Sequence, residues 1–326
     1  MSELVDSFGR TIDYMRISVT DRCNFRCVYC LPPEGIPLLP QSSLLTFEEI
    51  TRVAQIFLQM GGKRLRVTGG EPLVRNNIVD LIAMLSSLKG LQELGLTTNG
   101  YLLKDLAKPL KEAGLKRINI SMDSLTPSRF FELTRCAKFE QVWEGVEQAL
   151  LEGLATKLNV VVLKGIPVEE IIAFGEMAQK LPLEIRFIEF MPMCGTGCHP
   201  EWMVPLEEVE TLFKQYFDLT LQPAQKSDIA KIYQFEGGRG SIGFVASVTE
   251  SFCHLCSRIR LTADGKLRPC LFSSVEIDLK PWLRGGWPDI DIMATILDAV
   301  YKKPEGHKLL TLLKNAPGPH IHSVGG

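Results

Sequence analysis

The chain has 326 residues, of which 45% are hydrophobic and 23% charged, and its formal net charge is -2. This length suffices for one large core or two domains. The near-neutral charge gives no whole-molecule reason to expect a nucleic acid or an anionic membrane as partner, so any anion site must be a local cluster of Lys and Arg. Residues 1–10 lack a basic segment followed by an apolar one, and no later run approaches membrane-spanning length, so we expect a cytoplasmic protein.

Short β-rich runs alternate with amphipathic stretches in the first part of the chain. The predicted strands are 15–19, 64–68, 93–97, 117–121, 157–163 and 184–189. The predicted helices are 47–58, 77–88, 104–113, 139–152 and 168–179. The first helix opens with a capping box between Thr46 and Glu49 and ends at Gly61. About six βα units in sequence imply a parallel sheet with right-handed crossovers, either doubly wound or part of a barrel.

Unusual residues follow the predicted strands. They are 68–72 after the second strand, 97–100 after the third, 121–124 after the fourth and 191–193 after the sixth. All would lie at the carboxyl ends of parallel strands, together with a cysteine loop after the first strand. Barrel enzymes gather functional groups from successive strand ends, whereas a doubly wound sheet concentrates them at one switch point. The distribution therefore favours a barrel.

Three cysteines, Cys23, Cys27 and Cys30, follow the first predicted strand with the spacing C-x3-C-x2-C. Closely spaced cysteines in a reducing compartment are more often metal ligands than disulfides, and thiolates suit iron-sulfur clusters. A cubane has four irons, so three protein ligands leave one iron open to a small molecule. The spacing predicts a reactive cluster more than a plain electron carrier.

A second, smaller unit is predicted after residue 191, with a helix at 206–216 and strand-like runs at 229–235 and 241–246. It carries Cys253, Cys256 and Cys270, spaced C-x2-C-x13-C. These cysteines and His254 could form a structural zinc site. Because His254 lies inside the C-x2-C loop, where reaching the same metal is awkward, a second cluster with an open iron is the preferred interpretation.

Basic residues recur on the predicted strands. Arg64 and Arg66 lie two residues apart and so face the same side of a strand, and Arg258 and Arg260 repeat this spacing. Further cations lie in or beside other strands, namely Arg16, Lys157 and Arg186. A single one could be solvated or salt-bridged. Several cations converging on a barrel interior instead favour a phosphate-rich substrate, because Arg contacts phosphate oxygens bidentately.

Taken together, these motifs resemble the radical S-adenosylmethionine (SAM) superfamily and, within it, the GTP 3′,8-cyclase family that begins molybdenum cofactor biosynthesis. The similar stretches cover most of the chain and are 16–30, 66–72, 186–191, 260–270 and the terminal Gly325-Gly326. The first cysteine motif is typical of the whole superfamily. The second triplet with its arginines, and the double-glycine end, are typical of the cyclase family.

The resemblance implies an α/β fold, an incomplete (βα)6 TIM-like barrel of the radical SAM type whose open side is closed by a smaller C-terminal α+β unit. The barrel domain would span 10–190 and carry a first 4Fe-4S cluster. The C-terminal domain would span 191–326 and carry a second 4Fe-4S cluster and the Gly-Gly tail. SAM is the third implied cofactor.

The resemblance also implies roles for individual residues. The first cluster would be held by Cys23, Cys27 and Cys30, and the second by Cys253, Cys256 and Cys270. SAM would be contacted by Tyr29, Gly70, Ser121 and Met191, and GTP by Arg16, Arg66, Thr97, Lys157, Arg258 and Arg260. No side chain is expected to be catalytic by itself, because the clusters and SAM carry the radical chemistry and Gly325 and Gly326 only support it.

The implied reaction is reductive cleavage of SAM to methionine and a 5′-deoxyadenosyl radical. The radical abstracts the ribose 3′ hydrogen of GTP, and the 3′ carbon joins guanine C8 to give 3′,8-cyclo-7,8-dihydroguanosine triphosphate. The implied partners are GTP, SAM, an external one-electron reductant of the flavodoxin or ferredoxin type, and a downstream cyclic pyranopterin monophosphate synthase. A homodimer is a further implied option, and neither nucleic acid nor membrane is expected.

Some residues depart from the family pattern. Ser257 replaces an expected Asn, Arg64 replaces an expected Lys, and residues 134–138 and 193–203 are atypical. The cysteines outside the two triplets, Cys136, Cys194 and Cys198, are interpreted as buried or incidental thiols.

Two other interpretations stay open at this point. A radical SAM enzyme with an auxiliary cluster could act on a peptide or another small molecule, although that reaction would not need so many arginines. A non-catalytic iron-sulfur or zinc protein could instead bind a nucleotide as a sensor or scaffold.

Overall fold

The computed structural model describes residues 4–193, 199–223, 229–273 and 275–306. Six strands form the centre of its sheet: β1 (Tyr14–Ser18), β2 (Arg64–Thr68), β3 (Glu93–Thr98), β4 (Arg117–Ser121), β5 (Ala155–Val162) and β6 (Glu184–Glu189). Consecutive strands are neighbours and run parallel. The predicted succession of βα units in a parallel sheet is confirmed.

The connections between these strands carry the helices α1 (Phe47–Gln59), α2 (Ile78–Ser86), α3 (Leu103–Glu112), α4 (Pro127–Thr134), α5 (Phe139–Leu151) and α6 (Val168–Lys180). The predicted capping box is present: the Glu49 N–H donates to Thr46 Oγ1 at 3.2 Å, and the Thr46 N–H donates to Glu49 Oε2 at 2.8 Å. Helix α4 was not predicted, because its eight residues are too few to show a helical period.

The two faces of the sheet differ in polarity. On β2, Leu65 and Val67 are fully buried in the hydrophobic core, whereas Arg64 and Arg66 line a cavity on the opposite face. The same cavity is lined from β1 and from every strand of the series through β6. Side chains from six neighbouring strands can meet at one cavity only if the sheet curls around it, so the sheet has the curvature of a partial barrel.

The later elements extend both edges of this sheet. They are α7 (Leu206–Tyr216), β7 (Leu219–Leu221), β8 (Lys231–Phe235), β9 (Ser241–Val245), β10 (Arg258–Leu261), β11 (Lys266–Arg268), β12 (Ile277–Asp278), α8 (Lys280–Arg284) and α9 (Asp289–Tyr301). Strand β9 pairs parallel with β6, and β10 pairs parallel with β1. The sheet is therefore open, with β12 and β7 as its outer strands, and the predicted incomplete barrel with an added α+β unit is confirmed.

Ion pairs join the added unit to the first helix. Arg284 of α8 lies 2.8 Å from Glu49, and Arg52 of α1 lies 2.8 Å from Asp289 at the start of α9. Exposed pairs of this kind contribute little free energy singly, so the junction depends mainly on apolar side chains such as Ile292 and Ile296, which are fully buried in the core.

Candidate active site

The first cysteine triplet lies on a loop that follows β1. The N–H groups of Cys30 and Leu31 both donate to the Cys27 carbonyl, at 2.9 and 3.0 Å, which closes a tight turn. The Arg26 N–H donates to the Thr134 carbonyl at 3.0 Å, which ties the loop to the end of α4. Burial raises the pKa of Cys23 to about 11 and that of Cys27 well above its ordinary value. Metal ligation must therefore displace protons from these thiols.

Tyr29 joins this loop to the end of β4. Its hydroxyl donates to Asp123 Oδ2 at 2.5 Å, and the other carboxylate oxygen accepts from the Val161 N–H at 2.8 Å. Burial raises the pKa of Asp123 to about 6 and that of the Tyr29 hydroxyl well above its usual range. The tyrosine side chain is thus engaged in holding the loop. Its backbone is the part that remains for a ligand.

Gly70 lies where the loop after β2 meets the cysteine loop. Its N–H donates to the Thr20 carbonyl at 2.7 Å, and the next N–H, of Glu71, donates to the Arg22 carbonyl at 2.8 Å. A Cβ at residue 70 would lie only 2.3 Å from the Arg22 carbonyl oxygen. Glycine is required here because two backbone segments are in contact.

The Glu71 carboxylate connects the loops after β2 and β3. It accepts the Thr98 hydroxyl at 2.6 Å, the Asn99 N–H at 2.6 Å and the Leu73 N–H at 2.9 Å. Burial raises its pKa to about 7, and the three hydrogen bonds act in the opposite direction. Asn99 in turn donates to the side chain of Asn24 in the cysteine loop, at 2.8 Å. The strand ends therefore form one hydrogen-bonded rim around the first triplet.

The sheet register brings predicted GTP residues side by side. Arg16 on β1 is directly opposite Arg260 on β10 and Arg66 on β2. Burial and the neighbouring Arg258 lower the pKa of Arg260 to about 10. Three guanidinium groups in one row repel each other, so an anion on this face would be strongly favoured.

The second cysteine triplet shares a cavity with these residues. The cavity has a volume of about 170 Å³ and is lined by Cys253, Cys256 and Cys270 together with Arg16, Thr97, Met191, Arg258 and Arg260. Burial raises the pKa of Cys256, but Lys303 and Arg258 outweigh it, so this pKa lies below its ordinary value. The second triplet is therefore in a more positive environment than the first.

A second cavity of about 160 Å³ adjoins the first, since Arg16, Asn119, Asn159 and Arg258 line both. We call the two together the lumen. The cations that line this further end are Arg16, Arg64, Arg66, Arg117, Lys157, Arg186 and Arg258, whereas Glu93 is the one carboxylate among the described residues lining it. This excess of positive charge makes the further end a site for a polyanion.

Carboxylates at the margin pair with some of these cations. Glu184 lies 2.5 Å from Lys157 Nζ and also binds Arg186, while Glu93 lies 2.7 Å from Arg117. Burial and Arg186 lower the pKa of Lys157 to about 8, although Glu184 raises it. Lys157 therefore titrates near physiological pH.

The donor sets fit iron-sulfur clusters. Each triplet offers three half-buried cysteines that form no disulfide. Within the described ranges, no three His, Cys, Asp or Glu side chains converge tightly enough to hold a single metal ion. Thiolates are the usual ligands of iron-sulfur clusters, so the chemistry of each donor set fits a cluster.

Comparison with known proteins decides the family. Residues 17–178 match the radical SAM superfamily and residues 183–309 match the family described as Molybdenum Cofactor Synthesis C. The GTP 3′,8-cyclase of Thermodesulfovibrio yellowstonii is 44% identical over 304 residues, which cover 92% of this chain and 94% of that one. The chain belongs to the GTP 3′,8-cyclase family. Membership in the radical SAM superfamily entails a 4Fe-4S cluster and SAM binding.

Other relatives of the cyclase family agree. The GTP 3′,8-cyclase of Moorella thermoacetica is 45% identical, covering 93% of this chain and 95% of that one. Molybdenum cofactor biosynthesis protein 1 of Homo sapiens is 41% identical over 96% of this chain but only 50% of its own length.

Among solved structures, Streptococcus suis SuiB bound to S-adenosylmethionine has a TM-score of 0.60 at 15% identity, covering 94% of this chain and 75% of that one. This likeness supports the radical SAM fold alone.

Two departures from the cyclase family pattern are in direct contact. Arg64 donates to Ser257 Oγ at 3.0 Å and also pairs with Asp13 at 2.6 Å. On β2, an arginine that is longer than the expected lysine thus contacts a serine that is shorter than the expected asparagine, beside the second triplet. Another departure, at 134–138, supports the first triplet: Arg135 has a left-handed backbone, with φ of 54°, and donates to the carbonyls of Arg26 and Leu31, both at 3.1 Å.

The structure places the predicted residues that it describes in two regions, the lumen and the rim of the first triplet. The lumen is lined by the predicted GTP residues, the second triplet and Met191, whereas Tyr29 and Gly70 lie on the rim of the first triplet and Ser121 ends β4. Cys194, Cys198, Gly325 and Gly326 lie outside the described residues. Cys136 is half-buried.

Sequence reasoning missed several lumen residues. Asn119 and Asn159 line both cavities, and they lie two residues from Arg117 and Lys157 on the same faces of β4 and β5, so strand alternation could have found them. Lys303 lines the cysteine end and had no comparable signal, because it follows a helix far along the chain.

Among the described helices, none is long and apolar enough to cross a membrane.

Proposed function

We propose that this chain is a radical SAM lyase that converts GTP to 3′,8-cyclo-7,8-dihydroguanosine triphosphate, the first step of molybdenum cofactor biosynthesis. The observation that supports this most is the lumen, whose cysteine end holds the second triplet and whose other end is rich in cations. A substrate with a base at one end and a triphosphate at the other matches this polarity. A peptide substrate would not require so many cations at one end of the lumen.

The first triplet and its rim are proposed to hold the radical source. Cys23, Cys27 and Cys30 would carry a 4Fe-4S cluster that, when bound, supplies the electron for cleavage of SAM to methionine and a 5′-deoxyadenosyl radical. The Tyr29 backbone, Gly70, Ser121 and Met191 would contact SAM. The rim orients the loops that carry these groups through hydrogen bonds such as those of Glu71 and Asp123.

The cation-lined end is proposed to hold the triphosphate. Arg66 and Lys157 would contact phosphate oxygens there, and Arg16 and Arg258 reach both cavities and would contact the middle of the substrate. The Lys157 ammonium has three N–H donors, so it can bind a phosphate oxygen while it remains paired with Glu184. The gain comes from neutralising several guanidinium groups at once.

The cysteine end is proposed to hold the guanine. Cys253, Cys256 and Cys270 would carry a second 4Fe-4S cluster beside Arg260 and Thr97. With both ends of the nucleotide fixed, the ribose lies between them, where the walls of the lumen keep water and other hydrogen donors from the radical. The Gly325-Gly326 tail is proposed to close this space.

The remaining assignments complete the proposal. The barrel domain spans 10–190 and the C-terminal domain 191–326. The chain works in the cytoplasm with an external one-electron reductant of the flavodoxin or ferredoxin type, and its product passes to a cyclic pyranopterin monophosphate synthase. A homodimer is compatible with this scheme. These assignments are supported by the family resemblance.

The proposal is tested by anaerobic turnover of the reconstituted chain with SAM, GTP and a strong reductant. We expect 5′-deoxyadenosine release that depends on GTP, together with a cyclised nucleotide, and about eight irons per chain when both clusters are 4Fe-4S. Turnover with a peptide or another small molecule but not with GTP would overturn the assignment.

A variant separates the two triplets in the same assay. Cys270→Ser should lose GTP cyclisation while the first cluster still binds SAM, because the two cysteine groups lie on different loops. Cyclisation that survives this substitution would refute the proposed role of the second triplet.

A further inference from the structure

Two buried cations contact the backbone of the second cysteine triplet. Lys303 is 3% exposed, and its ammonium donates to the carbonyl of Arg258 at 2.8 Å and to that of Pro269 at 2.6 Å. Arg258 is two residues after Cys256, and Pro269 directly precedes Cys270. One ammonium group thus links the segments that carry two of the three cysteines.

Arg10 makes the corresponding contact at the third cysteine. It is 8% exposed and donates through Nη1 to the carbonyls of Cys253 and Glu305, both at 2.7 Å, and through Nη2 to that of Pro304 at 2.6 Å. Asp6 holds the guanidinium through Nε at 2.6 Å. Arg10 therefore ties Cys253 to the segment that directly follows Lys303.

We propose that Arg10 and Lys303 are positioning residues that fix the three cysteines of the second triplet for cluster assembly. This inference rests on the proposed function, since it presupposes a second cluster. Both residues bind backbone carbonyls, so they hold the cysteine segments through the main chain and not through the sulfur atoms. Burying an ammonium or a guanidinium costs free energy unless its N–H groups are hydrogen-bonded. Here the acceptors are carbonyls of the triplet segments and of residues 304–305, together with the Asp6 carboxylate.

The chain topology explains why such links are needed. Cys253 and Cys256 lie before β10, whereas Cys270 follows β11, so the triplet is split across a hairpin. The carbonyl links to Lys303 and Arg10 join both sides of that hairpin to the segment after α9. Residues that orient metal ligands through a second layer of hydrogen bonds typically change metal affinity about 10–100-fold when replaced.

The test measures release of iron to a chelator from the anaerobically reconstituted full chain. In Lys303→Met we expect half of the iron to be released about 10–100-fold faster than in the natural protein. The other half, at the first triplet, should be released at the natural rate and should still give the spectroscopic change that SAM causes. Lys302→Met is the matched control, since Lys302 is exposed and pairs only with Asp298, at 2.7 Å, among the described residues.

Two further variants keep the test decisive if Lys303→Met does not fold. Lys303→Arg retains the charge and has enough N–H donors for both carbonyls, so it should restore slow release. Arg10→Lys keeps the charge near Asp6 but cannot reach all three carbonyls, so it should also accelerate release from half of the iron. Arg52→Lys, at the remote α1–α9 ion pair, is its control.

The outcomes separate this inference from the proposed function. A natural protein that binds only about four irons would refute the second cluster and the proposed function together. A natural protein with about eight irons, whose Lys303→Met and Arg10→Lys variants release iron like their controls, would overturn the positioning role alone.

Discussion

Lys157 lies in the lumen beside Glu184 and Arg186, which act on its pKa in opposite directions. Burial and Arg186 lower this pKa to about 8, even though Glu184 lies only 2.5 Å away. A lysine with this pKa is mostly protonated at neutral pH and loses its charge in mildly alkaline solution. Because phosphate binds only the charged form well, the proposed GTP site has a titrating member.

The first prediction is that GTP affinity falls as pH rises through about 8. Well above this pH the dissociation constant should increase by up to about tenfold per pH unit, because binding must then take up a proton. Titration calorimetry over this range measures it. Lys157→Arg, which stays charged, should give a flat profile; an equally steep profile in that variant would assign the effect to another group.

The contact between Arg64 and Ser257 is the second residue-scale feature with a measurable consequence. Arg64→Lys would shorten the donor that reaches Ser257 Oγ at 3.0 Å, and Ser257→Asn would add volume against the natural arginine. The double variant should fit better than either single one. Its coupling energy in GTP binding should be about 0.5–3 kcal/mol, the range for residues in contact. Strictly additive effects in this double-mutant cycle would show that the two positions are independent.

At the scale of elements, the contact between the loop after β2 and the first cysteine loop determines the geometry of the proposed SAM site. Gly70→Ala would place a Cβ 2.3 Å from the Arg22 carbonyl, and neither backbone segment can yield without moving the cysteine loop. We expect the variant to fold but to lose SAM affinity by at least about tenfold, which corresponds to a modest cost of about 1.4 kcal/mol.

The control for this substitution is Gly90→Ala. Gly90 has a positive φ, of 90°, and an added Cβ there would meet nothing within 4 Å. It should lower the free energy of unfolding by about 1–2 kcal/mol through backbone strain and leave SAM binding intact. Thermal unfolding and equilibrium dialysis with labelled SAM measure the two effects. Natural SAM affinity in Gly70→Ala would mean that the loop contact does not shape the site.

The elements also show what a sequence can predict. Strands β1 to β6 could be predicted because strands and helices differ in the period at which apolar residues recur along the sequence. The position of the later strands in the sheet depends on partners that are distant in sequence. Strand β10 pairs with β1, and β9 pairs with β6. No local pattern encodes that choice, so the extension of both sheet edges was not foreseen.

The site was predictable to a similar degree. The cysteines and the arginines on β1, β2 and β10 were found from spacing and strand alternation, and the register then placed Arg16, Arg66 and Arg260 in one row. Lys303 and Arg10 were not found. Their function follows from tertiary contacts with backbone carbonyls, which leave no pattern in the residues around them.

At the scale of the whole molecule, the open sheet forms a lumen whose two ends differ in chemistry. One end carries the second cysteine triplet and the other an excess of cations, and Arg16 and Arg258 contribute to both. The first triplet lies at the rim formed by the strand ends. In the proposed function, a radical formed at the rim would meet a nucleotide held at both of its ends.

The most direct test of this account follows the hydrogen that the radical removes. The reconstituted chain is incubated anaerobically with SAM, a strong reductant and GTP deuterated at the ribose 3′ carbon, and the 5′-deoxyadenosine is analysed by mass spectrometry. The account predicts that the 5′-deoxyadenosine carries the deuterium and that the nucleotide product has lost it. Efficient turnover with no deuterium in 5′-deoxyadenosine would contradict abstraction at the 3′ carbon and, with it, the central claim.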